Sequence, residues 1–179
     1  YTLSDVCSSD PIRKNCLLRD ERSNGFWMTV NSGLFYYNLS THKLLNYDNT
    51  GDNPLFIRRS VSALAVSPKG NFWFCDNEAK TIVAFDPVSR TIIRTINLKD
   101  VAPNVIGAKM IEDRHDRLWL SSWSNECFLI DLKKQPAEIK RINSKEGNNY
   151  SIAANFFWAA FEDENGSIVR CHIRKNCDP

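Results

Sequence analysis

Three histidines, His42, His115 and His172, are the only imidazoles in this 179-residue chain, and they bound the catalysis it could perform. A histidine acts as base, nucleophile activator or metal ligand only when a second group of the right kind stands beside it. His115 lies in a polar turn and His42 in a short hairpin sequence, and both read as solvent-exposed loop residues. No glycine-rich phosphate loop, G-x-S-x-G elbow or H-E-x-x-H motif is present. The six cysteines, Cys7, Cys16, Cys75, Cys127, Cys171 and Cys177, are irregularly spaced and contain no C-x-x-C pair. They read as small buried hydrophobes, not as a disulfide framework or zinc ligands. No catalytic residue, metal or cofactor is expected.

Charge narrows the partners. Lys plus Arg number 23 against 21 Asp plus Glu, a formal +2, and basic residues occur only as pairs or short triplets. That distribution gives no electrostatic footprint for nucleic acid or an anionic membrane. The longest apolar stretch, residues 151–161, is too short to cross a bilayer, which takes about 20 residues.

The elements that would position any site are visible as a repeat. Phe26-Trp27, Phe72-Trp73 and Leu118-Trp119 each follow a polar turn, and the tryptophans lie 46 residues apart both times. Around each one the order is the same. A short apolar strand (61–66, 108–112 and 156–162 in the later units) leads into a polar turn (20–25, 67–71, 113–117, 163–166) and then the Trp strand. A third strand ending in Asn or Asp follows (34–38, 82–86, 128–131), then a weaker outer strand (43–47, 91–98, 138–142). Runs rich in Val, Ile, Phe, Tyr and Trp between Gly, Asn and Asp turns are strands, and four of them at this period make one antiparallel blade. No sustained 3.6-residue apolar period with caps competes, apart from an ambiguous run at 152–161. The fold class is therefore all-β: a partial β-propeller, an open arc of three to four four-stranded blades at about 12–47, 61–98, 107–142 and an incomplete 156–168. Trp27, Trp73 and Trp119 are expected to pack between blades, and Asp20, Asp113 and Asp163 to cap turns.

The sequences Ile111-Glu112-Asp113-Arg114-His115-Asp116-Arg117-Leu118-Trp119, Gly33-Leu34-Phe35-Tyr36-Tyr37-Asn38 and Asn149-Tyr150-Ser151-Ile152-Ala153-Ala154-Asn155-Phe156-Phe157-Trp158 resemble the two-component regulator propeller repeat. The second unit departs from it with Ser67-Pro68 where that family has Glu-Asp, and the fourth has Val169 in place of Trp. The resemblance implies the periplasmic sensor part of an inner-membrane hybrid histidine kinase, with an oligosaccharide or other small molecule as ligand. The partners it implies are the remaining blades of the parent propeller and a second copy in a parent homodimer. Gly70-Asn71-Phe72-Trp73-Phe74 also resembles the blades of the metal-dependent streptogramin lyases, and a protein-interaction scaffold is a third possibility.

A saccharide ligand needs aromatic platforms for ring faces, with amides and cations for hydroxyls. Loops leading into the inner strands and loops between second and third strands supply Trp123, Asn125, Tyr150, Asn155, Asn77 and Lys80 as the expected contacts. Trp123 stands outside the repeat position, in a Ser/Asn-rich loop. Residues 1–11 fit no strand of the repeat and are expected to be a non-native or disordered leader. Residues 169–179 are a doubtful tail, since Ile-Arg-Lys-Asn-Cys occurs at both 12–16 and 173–177.

Overall fold

The computed structural model describes residues 17–20, 24–30, 33–46, 60–89, 91–123, 126–142 and 159–171. The leader, the second copy of the repeated pentapeptide and the candidates Asn125, Tyr150 and Asn155 lie outside them. The described residues contain strands and turns and no helix.

Three four-stranded sheets follow one another along the chain. The first is β1 (Leu17–Asp20), β2 (Gly25–Val30), β3 (Gly33–Asn38) and β4 (Lys43–Asn46). The second is β5 (Val61–Val66), β6 (Phe72–Asp76), β7 (Thr81–Asp86) and β8 (Thr91–Asn97). The third is β9 (Gly107–Glu112), β10 (Arg117–Ser122), β11 (Glu126–Asp131) and β12 (Glu138–Ile142). β13 (Ala159–Glu162) and β14 (Ile168–Cys171) form a hairpin beyond them. Within each sheet the spatial order is the chain order and every pairing is antiparallel. Such a meander needs only short turns between neighbours.

Successive sheets meet through their first strands, β5 against β1 and β2, β9 against β5 and β6, and β13 against β9. Alternation along a strand explains how one sheet serves two neighbours. In β6, Phe72 and Phe74 join the core shared with the first sheet, and Trp73 and Cys75 join the core shared with the third. In β7, Val83 and Phe85 face the first sheet, and Ile82 and Ala84 the third. A sheet apolar on both faces is stable only when covered on both.

The repeated tryptophans occupy equivalent strands, and each faces the following sheet. Trp27 is packed against Tyr36 of its own sheet at 5.0 Å and against Phe72 and Phe85 of the next at 5.4 and 5.3 Å, edge to face. Trp73 lies in the core with Met110, Leu118 and Phe128 of the third sheet. Trp119, half-buried, packs with Cys127 and Ile142 on the far face of that sheet.

The turns after the first strands share one geometry. The NH of Gly70 bonds Ser67 O, that of Asp116 bonds Asp113 O, and that of Gly166 bonds Asp163 O. The fourth residue is left-handed in all three, at φ 86° for Gly70, 59° for Asp116 and 80° for Gly166. Only glycine takes that conformation without cost, and Asp is among the residues that tolerate it.

Candidate binding face

The loops that lead into first strands and the loops between second and third strands project from one end of the sheets. The turn from β6 to β7 is held by Asp76, whose Oδ1 accepts from the NH groups of Glu78 (3.0 Å) and Ala79 (2.8 Å), and Lys80 completes it at φ 56°. Asn77, at its first position, is 7% exposed. Its Oδ1 accepts from Gly107 N at 3.0 Å, and its Nδ2 donates to Ser60 Oγ at 3.1 Å. The Ser62 hydroxyl lies within donor distance of Gly107 O (2.8 Å) and of Asn77 Oδ1 (3.1 Å). Asn77 thus joins the start of β5 to the start of β9.

This junction is close enough to require glycine. A Cβ on Gly107 would stand 2.8 Å from Cys75 Cβ and 3.0 Å from Ala63 Cβ. Ala63, with φ 55°, sits where the β5–β6 register shifts between Ser62 and Ala65, so β5 is bulged at this point. Bulges re-aim a strand locally, here next to the loops of the candidate face. Beneath it the Cys75 thiol is pushed up to about 12, by burial above all, with the Gly107 backbone opposing. It stays protonated and acts as packing. Cys127 is likewise buried.

The connection from β8 to β9 is anchored from both sides. Leu98, Ala102 and Val105 are fully buried in the core between the second and third sheets. Lys80 Nζ donates to Val105 O at 2.9 Å, and Arg141 Nη2 donates to Val101 O at 2.7 Å. Ile106, next along, is held by Ser122 Oγ through its NH (3.2 Å) and its carbonyl (3.0 Å), and its carbonyl also accepts from Trp123 N at 2.9 Å. The backbones of two exposed apolar residues, Ile106 at 47% and Trp123 at 37%, are therefore pinned together on this rim.

Three expected contacts fall in the described residues, and the structure brings all three to this one rim. Trp123 is exposed, Lys80 half-buried, and the Asn77 amide is bonded to neighbouring strands. Ile106 was not legible as a member. Its only signal was an apolar residue directly before the glycine that opens a first strand.

The remaining chemistry-bearing residues sit elsewhere. His42 is exposed, its Nδ1 3.3 Å from the Tyr37 hydroxyl, and His115 is exposed in the Asp113 turn. Among the described residues no group of three or more His, Cys, Asp or Glu is placed to hold a metal ion, and no helix is long and apolar enough to cross a membrane.

No protein-family model and no curated protein matches the sequence. Solved structures do match the fold. A structure of PorZ, a surface component of the type-IX secretion system of Porphyromonas gingivalis, aligns with 86% of this chain and 22% of its own at 23% identity and TM-score 0.60. Kuenenia stuttgartiensis hydrazine synthase aligns over 90% of this chain and 42% of its own at 13% identity and TM-score 0.57. Virginiamycin B lyase from Staphylococcus aureus aligns over 89% of this chain and 55% of its own at 17% identity and TM-score 0.55.

The fold is that of a β-propeller. The blades are the four-stranded sheets described above, and at these identities the likeness speaks for fold alone. The chain spans less than two thirds of each of these proteins.

Proposed function

We propose that the chain is an arc of a ligand-sensing extracytoplasmic propeller, and that it recognises an oligosaccharide on the rim formed by Lys80, Ile106 and Trp123. The observation that carries this reading is Trp123, a large aromatic outside the packing position, presented on a rim whose backbone is fixed by Ser122 and Ile106. An aromatic on a fixed backbone offers a sugar ring a flat apolar surface at little entropic cost, and the Lys80 ammonium, which donates to Val105 O on the same rim, has further N–H groups for hydroxyls. The resemblance of the 111–119 and 33–38 segments to the two-component regulator repeat supports a sensor in the periplasm, with the kinase outside this chain. Asn125, Tyr150 and Asn155, outside the described residues, are further proposed ligand contacts.

Calorimetric titration of the parent protein with plant-derived oligosaccharides tests the reading. Trp123→Ala should weaken binding at least about tenfold while leaving the melting temperature unchanged. Undiminished affinity would remove Trp123 from the site. A second reading, a propeller lyase, is favoured by Gly70-Asn71-Phe72-Trp73-Phe74 together with the fold likeness to virginiamycin B lyase. Stoichiometric divalent cation in the purified protein would favour that reading over the sensor.

A further inference from the structure

On the opposite end of the sheets, between the second and third blades, lies a cavity of about 330 Å³. It reaches from the turns after β5 and β9 to the turn after β11, and Ile93 and Leu132 give it an apolar wall. A substitution in the repeat lies at its wall. In the first and third blades the Trp indole donates to the Asp of its own blade, Trp27 to Asp20 at 3.0 Å and Trp119 to Asp113 at 2.9 Å. In the second blade that Asp is Ser67, and the Trp73 indole donates instead to Glu112 Oε2 of the next blade.

Glu112 is only 6% exposed, yet among the described residues its other oxygen, Oε1, receives no hydrogen bond. No fully enclosed side-chain polar atom lacks a partner, so Oε1 keeps a free surface, and the cavity is the space that Glu112 lines. An ionised carboxylate only accepts, so the group that satisfies it must be a donor. Two cations line the same space. Arg94 donates to the carbonyls of Leu132 (2.6 Å) and Lys134 (2.8 Å), which fix the guanidinium without neutralising it. Lys133 has no carboxylate within ion-pair distance among the described residues. The remaining pair, Lys69 and Asp116, cancels itself across the two blades at 2.5 Å. The lining therefore carries one positive charge in excess.

We propose that this cavity binds a hydroxylated monocarboxylate the size of a single sugar acid, with its carboxylate on Arg94 and Lys133 and a hydroxyl donating to Glu112. The volume sits at the lower end of ligand cavities, about 300–1,000 Å³, which suits one ring. This site does not depend on the Trp123 rim.

Calorimetric titration of the full chain with D-glucuronate, D-glucose and inorganic phosphate separates the alternatives. Glucuronate should bind saturably and at least about tenfold more tightly than either glucose, which lacks the charge, or phosphate, which lacks the ring. Lys133→Gln should cost glucuronate about tenfold in affinity and leave the melting temperature nearly alone, because that side chain makes no hydrogen bond or ion pair among the described residues and acts on Asp116 only through its charge at longer range. Glu112→Gln keeps an acceptor for the Trp73 indole and should also weaken glucuronate. The proposal is overturned by no saturation at about 10 mM glucuronate, by glucose or phosphate binding as well, or by full affinity in Lys133→Gln.

Discussion

Asp113 shows how one side chain can define a blade corner. Its Oδ1 accepts from the NH groups of His115 (2.9 Å) and Arg117 (3.0 Å), and its Oδ2 accepts from Arg117 Nε (2.8 Å) and the Trp119 indole (2.9 Å). Burial acts to raise its pKa, but the bonds from Trp119 and Arg117 and the Arg117 charge outweigh it, and the carboxyl lies below the ordinary range. Asp113→Asn should therefore cost about 2 kcal/mol near neutral pH, the scale of hydrogen bonds to a charged group. Because the folded pKa is depressed, the stabilisation is complete above the unfolded value near 4 and is lost as pH falls through the folded one. Denaturant titrations of wild type and variant should converge below about pH 4; a constant gap down to pH 2 would show that the charge is irrelevant. The second blade supplies a complementary test. Glu112→Ala leaves the buried Trp73 indole without an acceptor and should cost about 1–3 kcal/mol. Adding Ser67→Asp restores the six-residue Asp-to-Trp spacing of the third blade and should recover at least half of the loss, read from the same unfolding midpoints.

At the scale of the element, the join between β5 and β9 is the most constrained feature of the arc. A Cβ on Gly107 would come closer to Cys75 Cβ than real Cβ atoms approach and would crowd Ala63 Cβ, and both neighbours are Cβ atoms fixed to strands and not the ends of flexible side chains. Gly107→Ala should destabilise by about 2–3 kcal/mol through overpacking, which pushes the backbone NH and carbonyl of residue 107 away from Asn77 and Ser62. A melting temperature within a degree of wild type would mean that the first strands do not meet as described. The same join marks where sequence reasoning stopped. Strands, turns and the equivalence of Trp27, Trp73 and Trp119 were legible because period-2 alternation and turn chemistry are local signals repeated every 46 residues. The capping role of Asp113 and Asp163 was legible for the same reason, whereas the bond from the Trp indole to Asp20 and Asp113 was not. Contacts between blades are spaced by about one period, Trp73 to Glu112 by 39 residues, Ser62 to Gly107 by 45 and Arg114 to Glu162 by 48. Alternation says which face a residue takes and is silent on which polar group of the neighbour it meets. Asn77 was read for its amide alone, and its part in the β5–β9 join needed the fold.

Across the whole molecule, burial of the three tryptophans is unequal although their positions are equivalent. Trp27 and Trp73 are 1% and 5% exposed, each covered by a complete four-stranded blade, whereas Trp119 is only half-buried. The core thins correspondingly. Between the second and third blades it draws on both sheets and on the 98–105 connection, while on the far face of the third blade Cys127 is its one buried member among the described residues. Described there is a two-stranded hairpin, tied on by Arg114, which pairs with Glu162 at 2.8 Å and donates to the carbonyls of Asp163 and Glu164. In a ring each blade is stabilised mainly by its neighbours, so an arc keeps its inner interfaces and leaves its end faces without a partner blade. The outer edges add exposed apolar residues, Ile92 and Ile93 on β8 and Leu44 and Leu45 on β4. The 179-residue chain by itself should therefore self-associate, and light scattering after size exclusion should give a mass that rises with concentration. Appending a complete four-stranded blade after the last hairpin should bury Trp119, lowering its accessibility to a fluorescence quencher, and should raise the unfolding midpoint. A monomer that melts in one cooperative step, with Trp119 no more shielded in the longer protein, would mean that this face is not a blade interface.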